Sequence, residues 1–292
     1  MLFPDVIRDI ILDYASSWQL LLWIDINEIS WFNLAVNRHP HAAALLIDSF
    51  NKDPDGANGT DLDKSNENPF MWPWLREHPN FINKLGLMRN PHPDAWEYTL
   101  SQDMPVWKLD SDELSSLPHA IPWLQEHREY ISWSGLCENP GAKDLIMTNQ
   151  NGIDWRALST NPAPWAISLL ERAIMDDIKT RNFDHEGYPK RLYKELSANP
   201  AGFDLLLKLA PLIHEDGISE VVDYAYLSAN SDPRAVILSL ENKWLIDWTA
   251  FSKNPSATKY LHKWKHKIDW TTLSENPGIF ITQHPAGVRK LL

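Results

Sequence analysis

Apolar and polar positions follow a recurring phrase along this chain. Ile131-Ser132-Trp133 runs through Leu136 and Cys137 to Asn139-Pro140-Gly141-Ala142, and Ile153-Asp154-Trp155 runs through Leu158 and Ser159 to Asn161-Pro162-Ala163. The phrase returns as Ile246-Asp247-Trp248 to Asn254-Pro255 and as Ile268-Asp269-Trp270 to Asn276-Pro277, with 22 residues between the tryptophans of each adjacent pair. Looser copies centre on Trp31 (ending Asn37-Arg38-His39-Pro40), Tyr193 (Asn199-Pro200) and Tyr224 (Asn230), and remnants lie around Asn68-Pro69, His78-Pro79 and Asn90-Pro91.

The pattern predicts a short helix, a tight turn and a longer helix in each unit. Asp or Ser before the aromatic residue is a helix N-cap, and the aromatic and the Leu three residues later share one helical face. The residue before a proline is pushed out of the α region, so Asn-Pro ends one helix, and Pro opens the next. Beyond it Pro162, Trp165, Ala166, Leu169 and Leu170 recur at helical spacing. A unit of about 22 residues cannot bury its own Trp and Leu, so neighbours must stack. The expected fold is all-α: an irregular α-solenoid or helical repeat array, with insertions near residues 171–191 and 206–221.

The opening differs. Phe3, Val6, Ile7, Ile10, Ile11 and Tyr14 form an amphipathic stripe, and Ser16 or Ser17 could cap a second helix through Trp18, Leu21 and Leu22. Residues 51–68 are polar and rich in Gly and Asp, which predicts a loop. The chain thus divides into N-terminal helices over 1–28, diverged acidic repeats over 29–130, and regular repeats over 131–292; residues 95–130 read as diverged copies or a spacer.

Composition adds 15 Trp and a net charge of -12 over 292 residues. Residues 1–146 carry 22 acidic against 10 basic side chains and residues 147–292 carry 17 of each, so the excess acid lies in the first half. An acidic surface disfavours nucleic acid and anionic lipid and attracts a basic protein partner. One cysteine, Cys137, fits a reducing compartment, no membrane span or signal peptide is legible, and a cytoplasmic location follows as the expectation.

The phrase I-D-W-x-x-L-S-x-N-P-x-A at Ile153–Ala163, Ile246–Ala257 and Ile268–Gly278 resembles the short Trp/Asn-Pro repeats in proteins of large DNA viruses of algae and amoebae. The resemblance implies a helical scaffold without an assigned chemistry, in the host cytoplasm if the chain is viral. Residues Leu2–Tyr14 also look like the first helix of an F-box, which would imply docking to a ubiquitin-ligase adaptor, but Phe3 replaces the usual Leu before Pro4. A capping helix of a repeat array would look the same.

Chemistry finds little purchase. Cys137 sits where other copies have Ser159, Ser197, Ser228, Ser252 and Ser274, a structural position. His262 and His266 would share a face of a helix over Thr258–Lys267 but lack a third ligand, and His39, His78, His92 and His284 precede prolines and read as substitutes for the Asn of the turn. Asn51, Asp53 and Asp55 with Gly56 begin like a calcium loop, yet Leu62 stands where a bidentate Glu is required. Lys259, Lys263, Lys265 and Lys267 surround Tyr260 and Trp264; Trp264 is expected to face the core and the lysines the solvent. No phosphate-binding or nucleophile-elbow motif occurs.

The repeated residues Trp31, Trp133, Trp155, Trp248, Trp270, Asn139-Pro140, Asn161-Pro162, Asn199-Pro200, Asn254-Pro255 and Asn276-Pro277 read as core, caps and turns. Variable positions such as Arg156, Ala157, Thr249, Ala250, Thr271 and Thr272 are then free to form a contact face. The expected function is a non-catalytic protein-interaction scaffold, inhibitor or adaptor, with no cofactor. The alternatives are an F-box-like adaptor, an acidic toxin-neutralising protein, and an enzyme or metal-dependent binder using Asp176, Asp177, Asp184, His185 and Glu186 of the first insertion.

Overall fold

The computed structural model describes residues 18–52, 62–102, 109–180, 188–213 and 222–282. Among them the chain is an all-α repeat array with one pair of three-residue strands. It divides into two compact units: Met1–Met104 with Thr258–Leu292, and Pro105–Ala257.

Each repeat starts on a capped short helix. Asp154 accepts hydrogen bonds from the backbone N–H groups of Arg156 and Ala157 at 3.0 and 3.1 Å, and Trp155–Thr160 follows. Asp223, Asp247, Asp269 and Ser30 cap their helices in the same way. Each such cap contributes about 1 kcal/mol. Successive short helices approach closely: a Cβ on Gly135 would lie 2.1 Å from the carbonyl oxygen of Asp112, and one on Gly86 2.3 Å from that of Asp63.

The predicted longer helix is continuous in Pro164–Thr180. Elsewhere it breaks into an α-helix and a 3-10 turn, as in Lys143–Thr148 with Gln150–Gly152 and Pro233–Glu241 with Lys243–Leu245. The residue between the two pieces leaves the helical region: His78, His127, Asn149 and Asn242 have φ from -114 to -144° and ψ from 49 to 69°. An extended isoleucine then closes the turn, Ile153 and Ile246 in these two repeats, and leads to the next cap.

The asparagines do more than end helices. Asn161 is fully buried; its Oδ1 accepts the N–H of Ala163, and its Nδ2 donates to the carbonyls of Cys137 and Asn139 at 2.8 and 3.0 Å. Asn199 donates to Ser159 and Asn161, Asn230 to Ser197 and Asn199, and Asn254 to Ser228 and Asn230. The second unit therefore carries a ladder of amides in which each rung from Asn161 to Asn254 bonds the carbonyls of the preceding rung and of the residue two before it, and Asn139 bonds that of Ser115. The serine beside each rung adds a second tie: the hydroxyls of Ser115, Ser197 and Ser228 accept the backbone N–H of Ser132, Asp223 and Asp247 at the start of the next repeat.

The first unit repeats this ladder out of chain order. Asn68 donates to Asn37, and Asn90 to Asn66 and Asn68. Asn37 itself donates to the carbonyls of Ser274 and Asn276 at 2.9 and 3.0 Å, joining the repeat nearest the start of the chain to the one nearest its end. The Ser274 hydroxyl accepts the N–H of Ser30, Asn33 donates to Glu275, and the Trp23 and Trp270 rings lie 6.4 Å apart. Trp18–Leu20 pairs antiparallel with Phe280–Thr282.

Two expectations change and two are refined. Trp18 begins a strand rather than a helix, because its backbone is claimed by Phe280–Thr282. Residues 62–68, placed in a loop, form the helix Leu62–Asn66 and the rung Asn68. The spacer holds a whole repeat with Leu117-Pro118 in place of Asn-Pro, from the helix Ser111–Ser116 to the turn Arg128–Tyr130. Of the histidines before prolines, His39 and His92 take the capping part of the Asn role, each ring accepting the N–H two residues on as Asn161 does, whereas His78 makes no such cap and stacks on Trp74 at 4.3 Å. His284, the stripe Phe3–Tyr14 and the F-box-like reading built on it lie outside the described residues.

Candidate interaction surface

The ladder absorbs most of the polar side chains that chemistry could have used. Cys137 is fully buried, its carbonyl accepts from Asn161, and burial pushes its thiol up to about 11. A thiol so held is a poor nucleophile. His39 is pulled down to about 4 by burial and by the neighbouring His41, and its ring stacks on Phe280 at 4.7 Å. No group of three His, Cys, Asp or Glu side chains that could hold a metal ion occurs among the described residues. Asn51 lies exposed in the helix Pro40–Lys52, and Asp176 lies exposed on Pro164–Thr180; Asp53, Asp55, Asp184, His185 and Glu186 fall outside the described residues, as does the Asp177 side chain. His262 and His266 do not share one helical face, since Thr258–Leu261 gives way to a 3-10 stretch broken at Trp264.

The variable positions separate by depth. Arg156, Thr249 and Thr271 are exposed, whereas Ala157 is buried and Ala250 and Thr272 are half-buried. In Trp155–Thr160 the second residue faces out and the third packs inward, whereas in Tyr224–Leu227 Ala225 and Tyr226 are both exposed. Arg156 holds Glu195 at 2.9 Å. Around that pair the Glu138 carboxyl is pushed up by burial and by Asp112, Asp154 and Glu195, so one guanidinium stands among four carboxylates. Ser132 and Ser134 donate to Asp112 and Asp154 at the edge of this group.

A second exposed row runs along the 3-10 turns. The middle residue of each turn is exposed throughout: Asn27, Asn80, Glu129, Asn151 and Trp244. The equivalent residue two before Ile268 is His266, also exposed. Five of these six tips carry a polar side chain, as a solvated turn should. The sixth carries a tryptophan whose surface is 78% accessible, followed by the 42% accessible Leu245.

No protein-family model matches this chain, nor does any curated protein or solved structure. No helix among the described residues is long and apolar enough to cross a membrane.

Sequence reasoning missed Trp244 because its neighbour Trp248 looks the same on paper. The distinguishing signal was its register: Trp248 follows the cap Asp247, the place held by Trp31, Trp133, Trp155, Tyr224 and Trp270 in other copies, while Trp244 stands two before Ile246, as Trp107 stands two before Leu109.

Proposed function

We propose that this protein is a non-catalytic interaction scaffold that binds another protein through the outer rim of its repeats. One observation carries the reading: Trp244 occupies a tip that the five other tips among the described residues fill with Asn, Glu or His, and remains 78% accessible there. The fold gains nothing from it. Exposing a large aromatic side chain forgoes about 2 kcal/mol of burial, and tryptophan is among the residues most enriched where binding energy concentrates. The half-exposed Ile237 on Pro233–Glu241 adds apolar surface within the same repeat.

The test is Trp244→Asn, which installs the residue carried by three equivalent turns. Quantitative affinity capture from host lysate should give a stoichiometric protein partner for the wild type and at least about tenfold less for the variant, the loss expected of an anchor residue. Both proteins should melt at the same temperature. Equal capture of the same partner by both would remove Trp244 from the interface and take the reading with it.

A further inference from the structure

The turn that closes the repeat before Ile268 is unlike the others. Lys259, His262, Lys263, Lys265, His266 and Lys267 are all exposed, and the run is divided by Trp264, whose φ of -128° and ψ of 45° interrupt the helix. The equivalent stretches His78–Phe81 and Asn149–Gly152 contain no Lys or Arg, and His127–Tyr130 and Asn242–Leu245 contain one each, so the frame does not require a run of cations here. Some exposed cations elsewhere hold carboxylates, Lys52 pairing with Asp48, Lys208 with Glu171, and Arg234 with Asp204 and Asp232, while others such as Arg76, Lys84 and Lys143 stand singly without one among the described residues. Among the described residues Lys263, Lys265 and Lys267 have no such partner.

The aromatic residues within the run are not open platforms. The Lys259 ammonium sits 4.9 Å above the Tyr260 ring, and Trp264 is half-buried. A single-stranded nucleic acid would find charge but no free ring on which to stack a base. A negatively charged protein surface needs only the charge, and this chain carries one. Residues 109–146 hold seven acidic side chains against two basic ones. Beside that region Asp154 and Glu195 join Asp112 and Glu138, burial and the repulsion of these carboxylates hold the Glu138 carboxyl above its usual range, and Arg156 pairs with Glu195.

We propose that a second copy of this chain is the occupant: the lysine turn of one copy docks on the carboxylate face at Asp112, Glu138 and Glu195 of the next. The two surfaces differ, so the contact is heterologous and leaves each copy with one free surface of either sign, which builds a ring or an open chain. The net charge of -12 repels whole copies from one another. At roughly 0.15 M salt the Debye length is about 8 Å, which screens that repulsion more than it screens charges in direct contact. Association should therefore peak at intermediate ionic strength and vanish near 1 M.

Sedimentation velocity on the full chain tests this with purified protein alone. At about 0.15 M salt the wild type should associate with rising concentration, and at about 1 M it should be monomeric. The triple variant Lys263→Glu, Lys265→Glu, Lys267→Glu should associate at least about tenfold more weakly, and so should Asp112→Lys with Glu138→Lys. Mixing the two variants should restore a one-to-one complex, because each supplies the surface the other has reversed. A wild type that stays monomeric at every salt and concentration overturns the proposal, as does assembly that survives the lysine reversals or variants that fail to complement. If the acidic-face variant does not fold, the lysine variant and the salt series decide the matter. Trp244→Asn should assemble like the wild type, so failure here leaves the reading of the tryptophan rim intact.

Discussion

In the second unit, covalently successive repeats hand the amide ladder from Asn161 to Asn199 to Asn230 to Asn254. In the first unit the same geometry bridges Asn276 and Asn37, which the intervening chain separates by 239 residues. The two bridges onto a preceding asparagine have nearly the same length, 3.0 Å at Asn37 and 2.9 Å at Asn199. The serine tie recurs with it, at 2.8 Å between Ser30 and Ser274 and 3.1 Å between Asp223 and Ser197. Chain connection is thus not what aligns one repeat with the next. The buried amide and the hydroxyl do so, and a repeat from one end of the sequence can serve as neighbour to a repeat from the other.

The sharpest way to break the comparison is to remove a rung from each setting. Asn161→Leu keeps the bulk but leaves the buried carbonyl of Cys137 without its amide donor and that of Asn139 with the Ala142 N–H alone. The expected cost is about 3 kcal/mol or more, read from the denaturation midpoint. Asn37→Leu likewise takes the amide donor from the carbonyl of Ser274 and leaves that of Asn276 with the Ile279 N–H alone. Because its partners are not held by a neighbouring stretch of chain, it should additionally raise hydrogen exchange in 268–282 before global unfolding. An Asn37→Leu protein with wild-type stability and exchange would show that the chain ends are held by the strand pair and the ring contacts alone.

A smaller effect should appear only at the chain-end junction. His39 is held near pH 4 in the folded protein, below its unfolded value of about 6.5. The unfolded chain takes up the proton first, so the neutral ring's contribution is complete above about pH 6.5 and is lost as pH falls toward 4. Discounted for a half-exposed ring, the loss is about 1 to 2 kcal/mol. Melts of wild type and His39→Gln should diverge between pH 7 and pH 5, and parallel curves would contradict the assignment. The smallest effect belongs to the second unit: Cys137→Ser restores the hydroxyl found at equivalent positions and should change stability by no more than about 0.5 kcal/mol, whereas a large loss would mean that this repeat is not interchangeable with its neighbours.

Much of this was legible in the sequence. The N-caps at Asp154, Asp247 and Asp269 and the all-α repeat follow from periodicity and cap chemistry, because those act within a few residues. The ladder was hidden: Asn-Pro is explained locally by helix ending, and nothing in local chemistry reveals that the same amide also donates across repeats. Leu117-Pro118 concealed a whole repeat by lacking the signature amide while keeping the shape. Trp18–Leu20 was misread as helical because the backbone that pairs with it lies at the far end of the sequence. The depth of the variable positions was half legible: Arg156 reaches solvent, but Ala157 turns inward because opposite sides of that short helix serve solvent and packing.

Between successive rungs that bond one another the chain spends 22, 24, 31 or 38 residues. Only the rung and its flanking serine must meet their neighbours; the path between is unconstrained in length. A gene with this design can lengthen one repeat without renegotiating the rest, since an inserted stretch disturbs neither the donors nor the acceptors on either side of it. Growth by insertion is then the cheapest route to diversity for such a protein, and the segments between asparagines are where new binding segments could be spliced in.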